Sequence, residues 1–291
     1  MSKNHSVLLN ARQIYDVKKL VADTRQFFGV HPNVPIGSDI RLLLDKKEIL
    51  LCEYPFPDTN GTHTYGNITW FQTSHDTITF IGLNTSSFYD EQIFAIAHEL
   101  YHYITKTGKA YTPELDDEDA VIEKQADRFA AELLLPSDSL KDSVMDVFHV
   151  STMKDVSDSR ALRFVARMQC IWWLPFQALI NRLFEEHMID AKQYDTLYEI
   201  DCRSEDGVYR RLLKSIDPEI SELLNKKTRT TGVSNRVIET IISNYEDGFI
   251  DDDEFFHSLA IFDKQPEDFG FYRDAELDDE MMDFFVHEDS E

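Results

Sequence analysis

The stretch His98-Glu99-Leu100-Tyr101-His102, followed further on by Glu123 and Asp127, decides how the rest of the chain is read. Two histidines four residues apart on a helix project from the same side, so both imidazoles reach one metal ion. The glutamate between them lies close enough to hold and deprotonate an attacking water. With only three fixed positions the pentapeptide is of moderate specificity, and its surroundings carry the argument. On a helix running from Asp90 to about Thr105, Ile93, Ala97, Leu100 and Ile104 fall within an apolar stripe about 60° wide. His98 and His102 lie opposite that stripe, beside Phe94 and Tyr101, which predicts that the second face is covered as well.

A second helix is expected from about Asp119 to Leu135, ended by Pro136, which cannot continue it. Ile122, Ala126, Phe129 and Leu133 form its core stripe, and Glu123 and Asp127 sit together just beside it. A carboxylate from a second helix is the usual third ligand of a catalytic zinc site built on two histidines, leaving a fourth position open. Glu123 is that candidate ligand. Asp127, one turn on, is placed to accept the free N–H of a ligating histidine and fix its tautomer. Were the pair merely solvated, two carboxylates at this spacing would repel, with Lys124 and Arg128 as the offset.

The blocks Phe94-Ala95-Ile96-Ala97-His98-Glu99-Leu100-Tyr101-His102 and Glu123-Lys124-Gln125-Ala126-Asp127-Arg128-Phe129-Ala130-Ala131-Glu132-Leu133-Leu134-Leu135-Pro136 resemble the ImmA/IrrE metallo-endopeptidases. The likeness covers about residues 10–140 well and the rest more loosely. It implies an intracellular zinc protease with His98, His102 and Glu123 as ligands and Glu99 as the base. It also implies a helix-turn-helix repressor as the substrate, cleaved to derepress mobile elements or stress genes. Two positions depart from the family pattern: Tyr101 stands where Gly is often found, and Asp127 where Asn is frequent. Neither removes a ligand.

Composition agrees with a cytoplasmic enzyme. Three scattered cysteines, Cys52, Cys170 and Cys202, make no disulfide framework, and the chain opens without an apolar signal segment. The longest apolar run, around Cys170 to Ile180, is too short for a bilayer and contains Pro175. A net charge of −25 argues against direct nucleic-acid binding, since phosphate contacts need Lys and Arg. It is concentrated at the end: residues 246–291 hold 18 acidic side chains against Lys264 and Arg273, which suits either a solubilising tail or the steering of a basic partner.

The fold class expected is α+β, a small antiparallel sheet packed with helices and followed by a mainly helical region. Helices are expected at Leu8–Phe28 and Ile36–Asp45, and strands at Glu48–Tyr54, Tyr65–Gln72 and Thr77–Leu83, with a turn at Thr73-Ser74-His75-Asp76. A sheet edge beside such a site can accept an extended substrate backbone. Past Pro136 the pattern is helical, with Arg160 to His187 carrying Trp172 and Trp173, whose best reading is core packing. The expected organisation is a zinc metallopeptidase domain over 1–140, a helical extension over 141–202, a helical region over 203–270 and an acidic tail over 271–291. Ser243 to Glu254 partly matches a calcium loop, but Ser243 and Tyr245 replace its first two acidic ligands, so a plain hairpin around Gly248 is expected.

Other candidates are weaker. His63 and His75 belong to polar loops, and Cys52 reads as a small buried strand residue that would matter only if its thiolate reached the ion. Tyr103, Tyr111 and Arg128 are unranked candidates for stabilising the oxyanion. A competing function is a regulatory module with a structural metal that sequesters a basic DNA-binding partner. A structural site would normally supply four protein ligands, and three with a base beside them favour hydrolysis.

Overall fold

The computed structural model describes residues 9–57, 63–72, 77–107 and 117–272. The predicted turn at 73–76, with His75, and most of the acidic tail lie outside them, as does Tyr111. Two compact units divide the chain, Met1–Thr231 and Gly232–Glu291. The fold is α+β. Among the described residues no helix is long and apolar enough to cross a membrane.

The first unit opens with α1 (Ala11–Phe27). Its start is set by Asn10 and Gln13, each side chain accepting from the other's backbone N–H at 3.0 and 2.8 Å, which satisfies two of the orphan donors of the first turn. A 3-10 turn at Gly37–Asp39 precedes α2 (Ile40–Lys46), so the helix expected from Ile36 begins in a tighter form. Gly37 is needed there, because a Cβ would lie 2.7 Å from Cβ of Trp173.

Strands β1 (Leu50–Tyr54), β2 (Gly66–Gln72) and β3 (Thr77–Asn84) follow closely where the sequence places them. Their order is β2-β3-β1, with β2 antiparallel to β3 but β1 parallel to it. The sheet is therefore mixed, where an antiparallel one was expected. Asn84, buried at the end of β3, ties the arrangement together. Its Oδ1 accepts from the N–H of Phe56 at 3.0 Å and its Nδ2 donates to the carbonyl of Thr64 at 2.7 Å. Phe56 and Thr64, on either side of the β1–β2 link, are thus both held at the end of β3, which lies between the strands that the link joins. Leu51, Ile81 and Ile68 then form one buried row across the sheet.

Helix α3 (Tyr89–Thr105) packs against β2 and β3 on one side and against α4 (Asp117–Leu134) on the other. Glu91 accepts from the N–H of Phe88 at 3.0 Å to begin it, and Lys106 in the left-handed region ends it. Ile93, Ile96, Ala97 and Leu100 are fully buried, each large aliphatic among them worth about 1.5–3 kcal/mol of burial.

Pro136 stops α4, and α5 (Ser137–Phe148) starts directly after it. The apolar stretch expected from Arg160 to His187 is two helices, α6 (Asp158–Trp172) and α7 (Phe176–Glu185). Trp173 takes φ 58° and Pro175 offers no N–H, so the ladder cannot run through. Trp172 is buried and Trp173 packs on Tyr89 with ring centroids 6.1 Å apart, a core role for both. Helices α8 (Ala191–Tyr198), α9 (Val208–Ile216) and α10 (Pro218–Leu224) complete the unit. Arg203, before α9, reaches back to α3 and pairs with buried Asp90 at 2.7 Å and with Glu91 at 3.0 Å.

The second unit is the expected hairpin, α11 (Asn235–Glu246) and α12 (Asp252–Ala260). Gly248 at φ 73° turns the chain, and Ile250 packs against the cluster of Ile238, Phe255 and Leu259. Asp251 and Glu254 are spent on capping α12, and Tyr245 stacks on Phe255 at 4.1 Å.

Candidate metal centre

The seam between α3 and α4 is set by Tyr101, whose ring lies 5.6 Å from that of Phe129 and whose hydroxyl donates to Gln125 Oε1 at 3.2 Å. This tyrosine is a buried packing residue. With the helices fixed in this register, His98, His102 and Glu123 converge, and one ligand atom from each lies within 4.8 Å of the others. Nε2 of His98 is 3.1 Å from Oε2 of Glu123, and Nε2 of His102 is 3.6 Å from Oε1. Both imidazoles are held from behind. Nδ1 of His98 is 3.1 Å from Oδ1 of Asp127, and Nδ1 of His102 is 3.2 Å from the Thr107 hydroxyl. Thr107 in turn meets the hydroxyl of Thr105 at 2.6 Å, which donates to the carbonyl of Tyr101.

The two Nε2 atoms face one another at 3.2 Å. Two imidazole nitrogens at that spacing need a proton or a cation to separate their lone pairs. With two imidazoles and a carboxylate as donors, the set suits a divalent transition-metal cation, and the residues fit one.

The electrostatics of the protein atoms alone express the same demand. Burial pulls the His98 imidazole down, yet its bonds to Asp127 and Glu123 outweigh that and lift its pKa to about 10. Burial and then the charge on His98 depress His102 to about 4. Glu123 is lowered by the His98 hydrogen bond; for Asp127, burial acts upward but the bond and charge of His98 prevail. A proton on one histidine thus occupies the role a metal ion would take, and metal binding must displace it.

Glu99 is 7% exposed, and a Cβ built on Gly66 at the start of β2 would stand 3.3 Å from its Oε1. Burial pushes its carboxyl up to about 7, with His98 opposing and Glu123 adding to the rise.

The remaining candidates separate cleanly. Arg128 is directed away from the cluster, bound to Glu185 and Glu186. Tyr103 is half-buried with Lys106 Nζ 4.4 Å over its ring. His63 meets the Ser87 hydroxyl at 2.8 Å, and burial raises the Cys52 thiol, disfavouring the thiolate a ligand would need. Thr107 is the site residue that sequence reasoning missed. It lies beyond the helix end, where no periodicity applies.

Residues 44–151 match the family model Peptidase_M78, described as the IrrE N-terminal-like domain. The match runs from the end of α2 through the three strands to α5 and contains His98, Glu99, His102, Glu123 and Asp127. That stretch of the chain is similar to the IrrE N-terminal-like domain, a likeness of metallopeptidase type. No curated protein and no solved structure matches the chain.

Proposed function

From the likeness of residues 44–151 to the IrrE N-terminal-like domain, we propose that the chain is a cytoplasmic zinc metallo-endopeptidase acting on a specific protein partner. The observation that carries this reading is the convergence of His98, His102 and Glu123 on one ion-sized point, with buried Glu99 on the same helix. In this reading those three residues hold zinc, while Asp127 and Thr107 fix the ring orientations. Zinc so held supplies Lewis-acid polarisation of the scissile carbonyl and of the attacking water. Glu99 takes the proton of that water and delivers it to the leaving amine, the work of a positioned carboxylate.

The outer strand β2 begins at Gly66 against Glu99, and its outward edge is the natural place for an extended substrate backbone. The chain's charge of −25 favours a basic substrate, and a helix-turn-helix repressor has that chemistry.

Co-expression of the chain with the product of a neighbouring repressor gene tests the proposal. Wild type is expected to yield defined fragments, whereas Glu99→Gln retains zinc and leaves the partner intact. Cleavage by Glu99→Gln removes Glu99 from its role. A stable complex with uncut partner in both cases favours the sequestering module.

A further inference from the structure

Away from the histidine cluster, α6 carries Arg160, Arg163 and Arg167 on one exposed face. Val147 and Phe148 from the end of α5, Phe164 from α6 and Ile216 from the end of α9 lie beside them, and together these residues line a cavity of about 300 Å³. Its floor is aromatic: Phe148 and Phe164 sit with ring centroids 5.4 Å apart, and the Arg160 guanidinium lies 5.3 Å over Phe148.

The charge of this face is opposite to that of the chain as a whole. The chain has 54 acidic residues against 29 basic ones, so a basic side chain on its surface should find a carboxylate easily. Arg12, Lys18, Arg41 and Arg203 do, although among the described residues single exposed lysines such as Lys19, Lys154 and Lys192 do not; here three arginines on one helix face stand together. Among the described residues, none of the three arginines of this face forms an ion pair. Like charges three and four residues apart on a helix repel, and here no internal carboxylate offsets that cost.

We propose that this cavity binds an acidic peptide segment of a partner protein, seating carboxylates on the arginines and one aromatic or aliphatic side chain on the floor. Arginine's planar fork takes a carboxylate through two parallel N–H donors, which favours it over lysine for this purpose. Along α6 the three arginines span about 10 Å at 1.5 Å rise per residue. That is the length of roughly three extended residues, so a short segment suffices. Charge selects the class of partner. A nucleic-acid duplex extends well past so small a patch and would face a strongly acidic protein, whereas a short peptide touches the patch alone. The site uses neither α3 nor the α4 carboxylates, so it stands or falls separately from the proposed catalysis.

The full chain is screened against an array of random heptapeptides, alongside the Arg163→Glu/Arg167→Glu variant and, for the floor, Ile216→Glu. All three positions are exposed, and unchanged thermal melting confirms folding. Wild type is expected to select sequences rich in Asp and Glu with a Phe, Leu or Met among them. The best of these, made as a fluorescein-labelled peptide, should bind about tenfold more weakly to the double variant. It should also lose affinity when its acids become amides. Selection of the same peptides by the double variant, or no acidic selection by wild type, overturns the proposal. So does stronger binding of duplex DNA or of phosphatidylserine vesicles at the same arginines, which would make the face a general anion site.

Discussion

Helix α4 holds two groups of charged side chains barely a turn apart, and their surroundings differ in kind. Toward its start, Glu123 and Asp127 are 41% and 47% exposed and turn to the imidazoles of His98 and His102. Toward its end, Arg128 and Glu132 are sunk to about the level of the hydrophobic core. They meet Arg182 of α7 and Glu186 just past its end, with Glu185, Lys18 and Lys141 at the margin. Arg182 donates to Glu132 Oε2 at 2.7 Å and to the carbonyl of Leu135 at 3.2 Å, and Glu132 accepts from the N–H and hydroxyl of Ser137. This second group neutralises itself with cations of its own. The first has of its own only half-exposed Lys124, 3.7 Å from Asp127, and leans on a proton on His98. A closed cluster fixes α4 against α7, and an open one on the same rigid helix is left to receive an ion.

The closed cluster gives the largest expected effect. Arg182→Ala removes the nearest cation from buried Glu132 and leaves it Arg128 at 3.8 Å, and removing one partner of such a pair costs about 3–5 kcal/mol. Urea unfolding followed by circular dichroism measures it. A loss under about 1 kcal/mol would put the network in the class of exposed pairs.

Acid sharpens the same point. For both Glu132 and Glu186 burial acts upward, but the charge of Arg182 and its neighbours prevails and holds the carboxyls below the ordinary value of 4.5. A pKa depressed by folding stabilises the native state fully above that value and is lost as pH falls through the folded one. Wild type should therefore exceed Glu186→Gln in stability most above pH 4.5, and the gap should narrow below it. A gap independent of pH would show that the carboxylate charge is not what counts.

Breaking the open cluster should look different. Zinc is expected to raise the melting temperature of wild type by the equivalent of about 2.7 kcal/mol at a hundredfold excess over its Kd. Glu123→Ala should fold normally and lose that response, since it removes a donor from a half-exposed place and orphans no buried charge. Equal stabilisation of the variant would take Glu123 out of the ligand set.

What the sequence disclosed follows the same division. The histidine pair, Glu123 and Asp127 were legible because spacings of four on a helix fix which side chains share a face, whatever the helix packs against. Arg128 shows the rule misapplied: it follows Asp127 directly and so points about 140° from Glu123, at 100° per residue, toward α7. The closed network was not legible at all. Its members come from α1, α4, α5 and α7, and only packing brings them together. Strand order was hidden for a similar reason, since it is a matter of long-range pairing, with contacts such as those of buried Asn84 to Phe56 and Thr64 formed only in the folded sheet.

Thr107 gives the finest test of the comparison, because it supports the open cluster without belonging to it. Its hydroxyl lies 3.2 Å from Nδ1 of His102, just past the left-handed Lys106 that ends α3. Thr107→Val keeps the β-branched shape and removes the hydrogen bond, so His102 loses the group that fixes its tautomer while its Nε2 stays in place. Loss of such an outer partner typically weakens metal binding by about 10–100-fold. Competition titration against a zinc chelator reads this directly, while Thr107→Ser, which restores the hydroxyl, should recover most of the affinity. If valine and serine bind zinc alike, the contact is incidental, and His102 is oriented by its burial alone.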